Sequence, residues 1–193
     1  MKKTVFIVSL SLFSVSDSLA QNSAVVGQNG YRHAVSGGIN VPIGTFSESH
    51  IAGISSSYSW SHHRFGYLQA RPRKLVGFTA DGGIDYYLGK SITEAGNDFT
   101  YGNYLYIHTF GGIICNPGKK NRQKVYLSKT NIRLTAGPAM GIYKGNAEVG
   151  YGIKLSGSYY FTEKLAITPG MMFMKHTLAS SLGTAMISTT YNF

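Results

Sequence analysis

The residues best equipped for chemistry in this chain are six histidines, His33, His50, His62, His63, His108 and His176, set among abundant serines. A histidine working with serine or aspartate is the machinery of an acyl hydrolase or acyltransferase, in which the ring activates a hydroxyl or a water. The spacing argues against it. His62 and His63 fall in a predicted turn, His108 is followed by Thr109 and Phe110, and no His-x-Ser arrangement lies on a strand pattern. Side-by-side His62 and His63 would point to opposite faces of a strand, which is poor geometry for a shared metal. No phosphate-binding loop, dinucleotide fingerprint or zinc spacing is present, so no catalytic residue, metal or cofactor is expected. The single cysteine, Cys115, has no second cysteine to pair with and reads as a small apolar strand residue.

The elements that would position such residues are strands. Gly183, Ala185, Ile187, Thr189, Tyr191 and Phe193 share one parity, and Leu182, Thr184, Met186, Ser188, Thr190 and Asn192 take the other. Alternate side chains of a strand face opposite sides, so one face is apolar and the other rich in hydroxyls. The pattern repeats. Ala52, Ile54, Tyr58 and Trp60 oppose Gly53, Ser55, Ser57, Ser59 and Ser61, and Ile153, Leu155, Tyr159 and Phe161 oppose Lys154, Ser156, Ser158 and Tyr160. Apolar spacings of three and four never persist for two turns without Gly or Pro, so the chain reads as all-β. Strands are predicted at 31–41, 51–62, 75–88, 104–115, 130–142, 148–161, 165–175 and 182–193. Their lengths match the roughly 9–11 residues that a tilted strand needs to cross a bilayer.

A row of serines, threonines and glycines cannot form a core. These rows fit the polar lumen of a narrow barrel whose apolar face meets lipid; a water-soluble ligand carrier would turn the same strands inside out. Two features favour lipid. Lys2 and Lys3, the apolar run Val5–Val15 and Ser18-Leu19-Ala20 have the form of a secretory signal over residues 1–20. Gln21 follows where a lipoprotein would have cysteine, and residues 21–30 read as a short periplasmic segment ahead of a barrel domain at 31–193. Aromatics also gather near strand ends, as in interfacial girdles: Tyr31, Tyr58, Trp60, Tyr159, Phe161, Tyr191 and Phe193 at one rim, Tyr86, Tyr104, Tyr106, Tyr151 and Phe173 at the other. The strand at 104–115 is apolar on both parities, which leaves its inward face open. Pro138 and Pro169 interrupt predicted strands beside Gly137 and Gly170, where bulges are expected.

Several motifs carry a resemblance: Gly-Gly-Ile-Asn-Val-Pro-Ile-Gly-Thr-Phe at 37–46, Gly-Gly-Ile-Asp-Tyr-Tyr at 82–87, Gly-Pro-Ala-Met-Gly at 137–141, Ser-Tyr-Tyr-Phe at 158–161 and the terminal Phe193. With these the chain resembles the small eight-stranded outer-membrane barrels of the OmpX-like and OmpA-like type, in a form common among Bacteroidetes, over residues 31–193. The resemblance implies an up-and-down antiparallel barrel in the outer membrane of a Gram-negative bacterium, in contact with its lipids and lipopolysaccharide. It also implies that Tyr191 and Phe193 serve as the signal read by the barrel-assembly machinery. Nothing matches the peptidoglycan-binding domain of some larger relatives. A monomer is expected.

With both termini in the periplasm, the connections there carry Arg64, Arg71, Arg73, Lys74, Lys119, Lys120, Arg122, Lys124, Lys129 and Lys164 against Glu163 alone. The core of this basic rim, Arg71, Arg73, Lys74, Lys119, Lys120, Arg122 and Lys124, would suit anionic phospholipid or cell-wall carboxylates. Within the lumen, Arg32, Arg133 and Lys154 balance Asp81, Asp85 and Glu148, which suggests internal pairing and a structural role over an ion path. Recognition would reside in the outer loops at 42–50, 89–103, 143–147 and 176–181, with Phe99 and Tyr101 placed to contact a partner or to extend the neighbouring strands. An exported chain rarely meets nucleic acid, whatever its basic charge. The expected role is structural or surface-interacting. A narrow channel is the alternative, and an enzyme acting on lipid A, as some barrels of this size do, is the weaker one.

Overall fold

A computed structural model describes residues 31–62, 76–94, 97–115, 130–162, 164–176 and 181–193. Eight long strands close into one antiparallel barrel: β1 (Tyr31–Ile43), β2 (His50–His62), β3 (Val76–Gly89), β6 (Tyr104–Cys115), β7 (Thr130–Tyr143), β8 (Asn146–Tyr160), β9 (Leu165–His176) and β10 (Leu182–Asn192). Two short strands, β4 (Ser91–Glu94) and β5 (Asn97–Thr100), form a separate hairpin between β3 and β6, and one helical turn, α1 (Phe46–Ser49), links β1 to β2. Each long strand pairs with its sequence neighbour, and β1 meets β10 to shut the cylinder, so no long edge is left unpaired. The seam is fastened at its end, where the Phe193 amide donates to the His33 carbonyl, and on the other side of β10 the Asn192 amide donates to the Lys164 carbonyl ahead of β9. His33 also hydrogen-bonds the Tyr58 hydroxyl and stacks on Phe193.

Side-chain exposure decides which face is inside. Ile132, Leu134, Ile153 and Leu155 are 42–51% exposed, whereas Ser59 and Ser61 are 6% and 4% exposed. The apolar rows therefore form the outer wall and the hydroxyl rows line the interior, the inverse of a soluble carrier.

The strand with two apolar parities resolves as well. On β6, Tyr104, Tyr106, His108, Phe110 and Ile114 are buried inside, while Ile113 is half exposed on the wall. Tyr104 and Tyr106 thus do not belong to an interfacial girdle. Their rings occupy space left by glycines on the other strands: a Cβ on Gly152 would come within 2.6 Å of both Phe110 and the Tyr106 hydroxyl, and one on Gly53 within 2.6 Å of Tyr87. Large and small residues alternate so that a narrow barrel can fill its interior.

Gly83 is enclosed on three sides, since a Cβ there would meet His108 Cε1 at 2.7 Å, Ser57 Cβ at 2.8 Å and the Ser56 carbonyl at 2.9 Å. Gly83→Ala should cost about 1–3 kcal/mol by overpacking. Gly111→Ala, where the new methyl would have open space, is the control and should be near neutral. Urea unfolding of the two variants side by side checks this; equal midpoints would contradict the packing.

The prolines are accommodated without bulges. Register runs unbroken through Pro138 opposite Tyr151 and through Pro169 opposite Ile187. What lapses is the other ladder: β6–β7 pairing skips from His108↔Ala139 to Gly111↔Ala136, and β8–β9 pairing skips from Ser156↔Gly170 to Tyr159↔Ile167. Each proline loses one amide donor on one side only, which spares the register. Among the described residues the register shift in the barrel lies instead between His50 and Gly53 on β2. It turns His50 inward. At the β7–β8 end, Lys144 and Gly145 both have positive φ, 49° and 84°, as a two-residue hairpin turn of the I′ type requires.

Candidate functional site

The chemistry-bearing side chains converge in the lumen, from strands far apart in sequence. At the end opposite the termini, α1 drops Phe46 into the mouth, where its ring lies 4.5 Å from His50, 5.0 Å from Tyr87 and 5.8 Å from Tyr104. Below it the inward side chains of β6 stack in a column, Tyr106 on His108 at 5.6 Å and His108 on Phe110 at 4.6 Å. Met172, Met174 and Met186 pack against these rings from β9 and β10. The Tyr104 hydroxyl and His176 Nε2 share a 2.6 Å hydrogen bond.

A charge cluster sits beside the column. Lys154 Nζ donates to Asp81 Oδ2 at 2.8 Å, His108 Nε2 lies 3.3 Å from the same oxygen, and His108 Nδ1 lies 3.2 Å from Asp85 Oδ2. Asp85 is further held by Asn40, whose Nδ2 donates to Asp85 Oδ1 at 2.7 Å and to the Tyr87 hydroxyl at 3.2 Å. Buried carboxylates are retained only with such compensation.

Toward the terminal end the interior becomes a belt of hydroxyls. Ser158, Thr168, Thr190 and Ser36 form a hydrogen-bonded chain across β8, β9, β10 and β1, with separations of 2.9, 2.8 and 2.8 Å. Arg133 Nη1 donates to Ser59 Oγ at 3.0 Å.

Of the charges expected inside, Asp81, Asp85 and Lys154 are brought together. Arg133 faces inward without a carboxylate, as no described acidic residue lies within ion-pair distance. Glu148 is at the far end of β8, opposite Gly141, apart from the cluster. Arg32 pairs with Ser61 through the β1–β2 ladder. Arg71, Arg73, Lys74, Lys119, Lys120, Arg122 and Lys124, the leader expected at 1–20 and the segment 21–30 lie outside the described residues.

His108 is the member that sequence reasoning missed: given no place in the lumen from its spacing, it is 3% exposed there. Its signal was its parity with Tyr104, Tyr106 and Phe110. His50 and His176 are likewise buried, at the mouth. The hydroxyls that the described histidines bond to are Tyr58 for His33, Ser49 for His50 at 2.8 Å, and Tyr104 for His176. The Ser49–His50 pair is the nearest approach to a nucleophile and base, and the His50 ring packs against Phe46, Tyr104 and Tyr143.

No protein-family model matches the chain, and no curated protein sequence matches it. Solved structures do. The outer-membrane protein Ail of Yersinia pestis in phospholipid bilayer nanodiscs superposes with a TM-score of 0.53 at 10% identity, over 84% of this chain and 99% of that one. Ail in complex with the heparin analogue sucrose octasulfate gives 0.52 at 10% identity over the same shares. The outer-membrane protein OprG of Pseudomonas aeruginosa gives 0.50 at 8% identity, over 86% and 97%. At such identities the likeness is one of fold: a closed eight-stranded antiparallel barrel of the kind built by small outer-membrane proteins.

Proposed function

We propose that the chain is an integral outer-membrane barrel of a Gram-negative bacterium with a structural or surface-interaction role, non-enzymatic, with a lumen shut to bulk flow. The observation that carries this is the pairing of an apolar, half-exposed outer wall with an interior filled by Phe46, Tyr87, Tyr104, Tyr106 and Phe110 above the Lys154–Asp81–His108–Asp85 cluster. The lipid environment supplies the partner for the wall, lipopolysaccharide outside and phospholipid inside. Tyr191 on the wall and Phe193 on the seam stand where an assembly signal would be read as β10 closes onto β1. Export follows from the leader at 1–20, and the basic rim on the periplasmic side gives anionic lipid or cell-wall carboxylates a place to dock.

The hairpin of β4 and β5 gives the surface role a location. It pairs Ile92 with Phe99, and Phe99 remains 49% exposed although Tyr101 packs on it at 4.9 Å. Lys144 reaches over Phe99 at 5.8 Å from the neighbouring turn.

Three experiments test the reading. In fractionated cells the protein should sit with the outer membrane and migrate faster on gels before heating than after, as folded small barrels do. Purified protein in planar bilayers should give no steady conductance; a stable, large single-channel current would replace this reading with the channel. Lipid A from cells with and without the gene should have the same acyl chains, and a mass difference of one chain would restore the enzyme.

A further inference from the structure

The geometry points to a binding site for a small monovalent anion, of halide size, in the terminal half of the lumen between Arg133 and Lys154. Arg133 is the starting point. Among the described residues its buried Nε has no hydrogen-bond partner, and its Nη1 donates to the neutral hydroxyl of Ser59. The guanidinium is only partly buried, but its Nε is cut off from solvent, and an anion or a water would complete it.

The chain leaves room for one. A cavity bordered by Ser57, Ser59, Thr135, Ser156, Arg133 and Lys154 holds about 20 Å³ of open space. A single water needs about 10–15 Å³, so the space takes a water or a halide.

The strand register explains why both cations reach it. Arg133 lies opposite Ser156 and Thr135 opposite Lys154 on β7 and β8. Arg133 and Lys154 are therefore diagonal neighbours on one inward face, with a hydroxyl beside each. Lys154 gives one of its three donors to Asp81, which leaves donors to spare.

Charge selects an anion over a cation. Asp81 also borders the cavity, and its Oδ2 is already met by Lys154 and His108. Asp85 is engaged by His108 and Asn40. What remains toward the cavity is the guanidinium with hydroxyl donors around it.

The test uses the folded protein in detergent at constant ionic strength. Chloride or bromide should raise the thermal midpoint by about 3 °C or more for each tenfold increase above its dissociation constant, by preferential binding to the folded state. Gluconate, too large for the cavity, should give no rise, and Arg133→Gln should abolish the halide response. An equal response to gluconate, or an unchanged one in R133Q, would overturn the site. Should R133Q fail to fold, the native protein still decides: crystals grown in millimolar bromide should show an anomalous peak between Arg133 and Lys154. A water there, with bromide absent, would reject the anion.

Discussion

Leu155→Arg should lower the unfolding free energy in lipid vesicles by about 2–4 kcal/mol, while Leu155→Phe leaves it nearly unchanged. Leu155 lies on β8 opposite Leu134 and Met171, and its side chain is 51% exposed on the outer wall. Four residues away on either side along the same outward row stand Tyr151 and Tyr159, both exposed. At about 3.3 Å per residue and a tilt of about 40°, each ring is roughly 10 Å in depth from Leu155. The two tyrosines thus bracket roughly 20 Å of apolar wall, most of the roughly 25 Å band of an outer-membrane barrel, with Leu155 at its centre. An exposed leucine on a water-soluble barrel would lose nothing on becoming arginine. Urea titrations followed by the fluorescence of Trp60 separate the cases, and a neutral or stabilising Leu155→Arg would mean that water wets this wall.

How much of this was legible in the sequence depends on how different the two faces of a strand are. Where lipid meets one side and a polar lumen the other, alternation is imposed residue by residue, so β2, β8 and β10 could be read with their inward rows of serine and threonine. All eight long strands lie within two residues of their predicted ends. β6 was opaque because a narrow lumen is filled by bulky rings from one strand against glycines on others. Tyr106 and Phe110 make sense only beside Gly152, some forty residues on, and a single-strand reading cannot see that pairing. His108 was missed for the same reason, since its carboxylate partners sit on β3, across one ladder. Charge counting placed Asp81, Asp85 and Lys154 together but did not reveal that Arg133 would face hydroxyls. The β4–β5 hairpin and the single turn of α1 are too short for periodicity to register.

Lys154→Met should destabilise the barrel by about 3–5 kcal/mol, and adding Asp81→Asn should recover most of that loss. The side chains are 13% and 7% exposed, so removing the ammonium leaves the Asp81 carboxylate buried with the His108 ring as its remaining close contact. An uncompensated buried charge is worse than no charge. The pair of substitutions removes both and leaves a neutral amide able to bond with the hydroxyls around it. A double-mutant cycle on urea midpoints reads the coupling directly; additive losses would show that the contact carries no energy. The same double variant also separates two ways of shutting the lumen. If the ion pair were the barrier, D81N/K154M would conduct in planar bilayers. Phe46, Tyr87, Tyr104, Tyr106 and Phe110 remain in place, each at most 7% exposed, so the variant should stay silent. Closure would then rest on the rings and not on the ion pair, because only the rings fill the cross-section that an ion would have to pass.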